Sequence, residues 1–79
     1  MFGIKRILKH ELDSMLGKTI SLSDYKEMFS LDDYDRTCQK DDEGFYNEIN
    51  GIKVYMELYK TLTLCLYFIK DGQKYFYIP

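Results

Sequence analysis

Between Phe45 and Ile78 apolar and polar residues alternate in four short runs separated by turn signals, the two-residue period of half-buried strands. Asn50-Gly51 stands between Ile49 and Ile52, and both central positions of a type I′ turn need φ > 0, which these residue types adopt readily. The turn predicts Ile49 opposite Ile52, Asn47 opposite Val54, Tyr46 opposite Tyr55 and Phe45 opposite Met56. Ile52, Val54, Met56 and Leu58 then share one face, with Lys53, Tyr55, Glu57 and Tyr59 on the other. The third run repeats the scheme, setting Leu62, Leu64, Leu66 and Phe68 against Thr63, Cys65, Tyr67 and Ile69. A one-residue slip would exchange the faces, so the connection around Lys60-Thr61 is expected to hold an odd number of residues. At Lys70-Asp71-Gly72 the same logic predicts a type I turn with Gly72 in a bulge, pairing Leu66 with Phe76 and Leu64 with Ile78, in preference to a two-residue Asp-Gly turn.

Upstream the period changes. Ile4, Ile7, Leu8, Leu12, Met15 and Leu16 recur at three- and four-residue intervals, one face of a helix that Gly17 ends. A second, short helix is expected after Ser21 or Ser23, either of which can cap it, with Leu22, Tyr25, Met28 and Phe29 as its buried stripe. A bend at Ser30 and a turn of helix through Tyr34 toward Cys38 follow, and the segment from Gln39 to Gly44, with no apolar residue, reads as a loop. The expected fold is α+β: two N-terminal helices packed on one face of a four-stranded antiparallel β-meander, one domain over residues 1–79.

That arrangement leaves the other sheet face uncovered, carrying Tyr46, Tyr55, Tyr59, Tyr67, Tyr75 and Tyr77. Such a face serves either as cross-strand packing that stiffens a small sheet or as a protein interface, where tyrosine gives contact area at low entropy cost.

Charge narrows the choice. Thirteen acidic residues against eleven basic ones leave a net charge of −2. Asp32, Asp33, Asp35, Asp41, Asp42 and Glu43 concentrate the negative charge in the middle of the chain, while Lys5, Arg6, Lys9 and Lys18 make its start basic. Stacking of single-stranded nucleic acid on the tyrosines needs a basic groove, and that face offers Lys53 against Glu48 and Glu57, so nucleic acid is disfavoured as a partner. The acidic stretch fails as a calcium loop: with Gly44 aligned to the required glycine, Gln39 falls on the first ligand position and Asn50 on the bidentate one.

Cys38 and Cys65 form no Cys-x-x-Cys pair and His10 is the sole histidine, so no zinc site is expected, and the thiols read as reduced small hydrophobes. No nucleophile and base stand in a recognisable arrangement, so catalytic residues, metals and cofactors are all expected to be absent. The N-terminus alternates charged and apolar residues, unlike a secretory signal, and no run reaches the length of a membrane span; a cytoplasmic protein without membrane contact is expected.

No motif in the chain identifies a family. The residues suit a small non-enzymatic protein-binding module, an inhibitor or adaptor such as a phage anti-defence or immunity-type protein, whose contacts are the six tyrosines and the six acidic residues. Its partner is another protein or a second copy of the chain. Two alternatives stand beside it: a homo-oligomer that holds a small ligand at a subunit junction, and single-strand nucleic-acid stacking on the tyrosine face.

Overall fold

Asn50 and Gly51 adopt φ of 52° and 82°, and the hairpin around them forms in the register that the turn dictates, with Ile49 opposite Ile52, Asn47 opposite Val54 and Tyr46 opposite Tyr55. The computed structural model describes residues 3–59 and 63–79, apart from the side chain of Tyr59. In chain order the elements are β1 (Ile4–Arg6), α1 (Lys9–Leu16), α2 (Leu22–Met28), α3 (Tyr34–Thr37), β2 (Gln39–Lys40), β3 (Phe45–Ile49), β4 (Ile52–Tyr59), β5 (Thr63–Lys70) and β6 (Gln73–Tyr77). The α+β class is as expected, but among the described residues three helices and a six-stranded mixed sheet replace two helices and a four-stranded meander. The sheet order is β1-β6-β5-β4-β3-β2, with β1 parallel to β6 and every other pair antiparallel.

Both extra strands arise where side-chain pattern is a poor guide. The helical stripe was expected to start at Ile4, but Lys5 and Arg6 would oppose the positive end of a helix dipole, and the segment instead pairs with β6. Ile7 donates its backbone N–H to Phe76 O at 2.9 Å and is buried, whereas Ile4 and Leu8 are exposed. The helix proper begins after Leu8, whose N–H is taken by the Glu11 carboxylate at 3.0 Å. At Gln39–Lys40 a two-rung ladder with β3 replaces the expected loop, since backbone pairing there needs no apolar side chain.

Helix ends are closed both by their own cap residues and by side chains from the sheet. Gly17 ends α1 at φ 70°, and the Asn50 amide, from the β3–β4 turn, donates to Leu16 O at 3.0 Å. A Cβ on Gly17 would lie 2.8 Å from that amide nitrogen, so the glycine admits the cap as well as the backbone conformation. Ser21 caps α2 by accepting from Asp24 N at 3.1 Å. Its last turn is tied to β3 by Asn47, whose amide donates to Met28 O at 2.7 Å. Between α1 and α2, one Asp13 oxygen accepts from Ile20 N and from the Tyr25 hydroxyl, both at 3.4 Å, while the other pairs with Lys9. The main core lies between these helices and the sheet, with Leu12, Leu16, Tyr25, Phe29, Val54, Leu66 and Phe68 fully enclosed. Leu22, expected in the α2 stripe, is exposed.

The β4–β5 pairing sets Tyr59 opposite Thr63, so three residues join the strands, the odd number expected; residues 60–62 themselves lie outside the described residues. The last hairpin departs from expectation by one residue. Asp71 and Gly72 form the two-residue turn at φ 53° and 79°, pairing Leu66 with Tyr77, Tyr67 with Phe76 and Phe68 with Tyr75. From Tyr75 to Ile78 both faces of the strand are apolar or aromatic, so the pattern cannot set the register; the turn whose twist matches the strands decides it. Tyr75 and Tyr77 therefore face the helices, and Phe76 takes their place outside.

A direct check of the first hairpin is Gly51→Val. A β-branched residue forced to φ 82° is expected to cost about 1–2 kcal/mol, read as a lowered melting temperature, and an unchanged melt would contradict the turn.

Candidate functional site

The face expected to be open is closed by its own side chains. Tyr46, Tyr55 and Tyr67 sit side by side on β3, β4 and β5 because their registers place them opposite one another. Ring centroids are 5.5 Å apart for Tyr46 and Tyr55 and 5.2 Å for Tyr55 and Tyr67, the latter pair stacked at 15°. A lysine closes each end: Lys53 Nζ lies 4.7 Å from the Tyr46 centroid and Lys74 Nζ 4.0 Å from that of Tyr67. Exposure of the three tyrosines is only 9, 8 and 7%, and Phe76 packs beside them. They form a second, smaller core, one side chain thick, rather than the uncovered face that the sequence predicts. Packed against each other and against lysines and less than a tenth exposed, the rings offer no free face to a nucleobase.

The acidic segment helps to seal this layer. The β2–β3 turn brings Asp41 over the ladder, where its Oδ2 accepts from the Tyr55 hydroxyl at 2.7 Å and from Lys53 Nζ at 3.0 Å. Its Oδ1 accepts from the backbone N–H groups of Glu43 at 2.8 Å and Gly44 at 3.2 Å, closing the turn. The Tyr55 hydroxyl first, then Lys53 and the two N–H groups, hold the Asp41 carboxyl down at about 2, and the same bond to Asp41 pushes the Lys53 ammonium up. Burial pushes the Tyr67 hydroxyl up to about 12.

Because the folded carboxyl titrates below the ordinary value of about 3.9, its stabilising effect is complete above that value and is lost as pH falls toward 2. Asp41→Asn is therefore expected to melt lower than wild type at pH 6 and to show a smaller further fall between pH 4 and pH 2. Parallel slopes for the two proteins would contradict a stabilising role for the Asp41 contacts with Tyr55 and Lys53.

The remaining candidates separate. Asp33 is engaged by Arg36, with Nη2 to Oδ2 at 2.6 Å, while Asp32, Asp35, Asp42 and Glu43 are exposed. Tyr75 and Tyr77 lie on the helix side of the sheet, and the Tyr59 side chain is outside the described residues. Cys38 and Cys65 are free thiols whose burial raises their pKa, which leaves them poor nucleophiles. Among the described residues no group of three or more His, Cys, Asp or Glu side chains is placed to hold a metal ion, and no helix is long and apolar enough to cross a membrane.

An open surface exists, but on the helix side. β4 and β5 have eight residues each, about 27 Å of strand, whereas α1 and α2, with eight and seven residues, span only about 12 and 10 Å. Toward the Leu58 end of the hairpin the cover is incomplete. Leu58 is 50% exposed there, with Leu31 at 39% and Tyr34 at 38%. A depression of about 260 Å³ is lined by Leu31, Tyr34, Phe45, Met56, Glu57 and Leu58. It adjoins, through Leu31, a second of about 410 Å³ that reaches Leu22, Asp32 and Leu64. Tyr34 stands edge-on to Phe45 at 4.7 Å and forms one wall. The sequence reading missed this groove: it places Leu58 on the covered apolar face and starts the first helix at Ile4, a longer cover than the eight-residue α1 provides.

No family model, no curated protein and no solved structure matches the chain.

Proposed function

We propose that the chain is a small non-enzymatic protein-binding module, an inhibitor or adaptor, that engages its partner through the open groove at the end of β4–β5 rather than through the tyrosine ladder. One observation carries this reading: in a domain whose described buried side-chain nitrogen and oxygen atoms all have partners, Leu31, Tyr34 and Leu58 form one apolar surface left to water. A contiguous patch of this kind on a small domain marks an interaction surface. The exposed carboxylates of the acidic segment are its steering charges, raising the association rate more than the lifetime of the complex.

Affinity capture from a lysate of the native host tests the reading. Wild type is expected to retain a specific protein that the Leu31→Ser/Leu58→Ser variant releases, with both proteins showing the same far-ultraviolet spectrum because neither leucine is enclosed. Equal capture by both, or none by either, would contradict it.

A further inference from the structure

The groove has a free backbone edge along one side, and that edge identifies its occupant. β3 pairs with β4 only as far as Tyr46 opposite Tyr55. Beyond it the chain leaves the sheet at Gly44, φ 145°, and the Asp41–Gly44 turn folds over the tyrosine ladder, where the Tyr55 hydroxyl and Lys53 hold Asp41. Glu57, Leu58 and Tyr59 continue β4 and pair with β5 on one side, while among the described residues no strand pairs with their other edge. Unpaired strand edges are templates for another strand. Leu58 lines the groove, and Glu57, at its rim, carries a carboxylate that is half exposed and stands 4.0 Å from Lys74 Nζ.

Carboxylates predominate in the segment that leads to this edge, although Lys40 Nζ stands 5.3 Å from the ring centroid of Phe45, which lines the groove. Residues 31–43 hold six carboxylates against Arg36 and Lys40, and of those six Asp32, Asp35, Asp42 and Glu43 are exposed. We infer that the groove takes an extended segment of the partner protein, added as a strand along Glu57–Tyr59. Alternate aliphatic side chains of that segment lie against Leu31, Tyr34 and Leu58, and its intervening lysine or arginine side chains face Glu57, Asp42 and Glu43. This rests on the protein-binding reading and adds the partner's conformation and charge. Main-chain hydrogen bonds supply affinity in such a mode and the alternating side chains supply selectivity.

The test uses the full chain and four capped octapeptides: alternating valine and lysine, the same with serine for valine, the same with glutamate for lysine, and the valine-lysine peptide N-methylated at alternate residues. Titration followed by amide chemical shifts is expected to show the valine-lysine peptide binding at least tenfold tighter than the other three, with the largest shifts at Glu57–Tyr59 and Leu31. Leu31→Ser/Leu58→Ser should lose at least tenfold in affinity, and added salt should weaken wild-type binding. Equal affinity for the N-methylated peptide would overturn strand addition. Equal affinity for the glutamate peptide would overturn the charge assignment, and unchanged affinity in the leucine variant would overturn the groove. A concentration-dependent dimer abolished by Leu58→Ser would assign the edge to a second copy and overturn the proposed occupant. If no peptide binds while lysate capture still depends on Leu31 and Leu58, the strand-adding partner falls and the binding module stands; if capture also fails, both fall.

Discussion

Tyr67→Ala is expected to cost about 3 kcal/mol, a large share of the stability of a domain this size. The ring is 7% exposed and is held between Tyr55 and the Lys74 ammonium, so truncation opens a gap beside Phe76 and leaves Lys74 without its aromatic platform. Tyr67→Phe, which keeps the ring and its stacking, should lie within about 1.5 kcal/mol of wild type. Replacing Tyr55 and Tyr67 together with serine should abolish the cooperative urea transition at room temperature, because the β3–β4–β5 ladder loses two of its three rings. A double variant that keeps a native transition would mean that this face is decoration on a one-sided sheet. The sequence alone points to that tolerant outcome; the packed ladder reverses it.

Tyr77→Ala should be at least as severe, about 3–5 kcal/mol, whereas Phe76→Tyr should stay under about 1.5 kcal/mol. Tyr77 belongs to the main core with Leu12, Leu16, Tyr25 and Phe68, and is reached only because the Asp71-Gly72 turn holds two residues. Phe76 lies in the outer layer beside Tyr67, where a further hydroxyl can reach water. Urea midpoints of the two variants decide the register. Tolerance of Tyr77→Ala together with strong destabilisation by Phe76→Tyr would restore the bulged hairpin and return Tyr77 to the outer face.

Those two positions also show where the sequence stops being legible. Alternation is informative when one face is polar, as in β3 and β4, and there the register follows from Asn50-Gly51. Tyr75-Phe76-Tyr77 has no polar face, so only turn geometry distinguishes the two registers, and tyrosine is at home in either environment. The helix stop at Gly17, a helix start at one of Ser21 and Ser23, and the α3 turn were readable because they rest on local chemistry. The parallel pairing of Ile4–Arg6 with β6 joins residues some 70 positions apart and leaves no local signature. Of the six tyrosines read onto one face, Tyr46, Tyr55 and Tyr67 do lie side by side, whereas Asp41 was read as part of a separate acidic segment; that these four would satisfy one another depends on the Asp41 turn folding over the sheet. Leu31, Tyr34 and Leu58 were overlooked for the opposite reason, since an apolar residue in a strand or helix pattern is taken to be covered until element lengths are compared.

The most direct test is nitration of tyrosines by tetranitromethane, mapped by mass spectrometry on the free chain and on the complex captured from host lysate. Tyr34 should react in the free protein and become protected in the complex, while Tyr46, Tyr55 and Tyr67 stay unreactive in both. Ready nitration of Tyr46, Tyr55 and Tyr67 in the free chain, lost on capture while Tyr34 stays reactive, would place the partner on the ladder and contradict the groove.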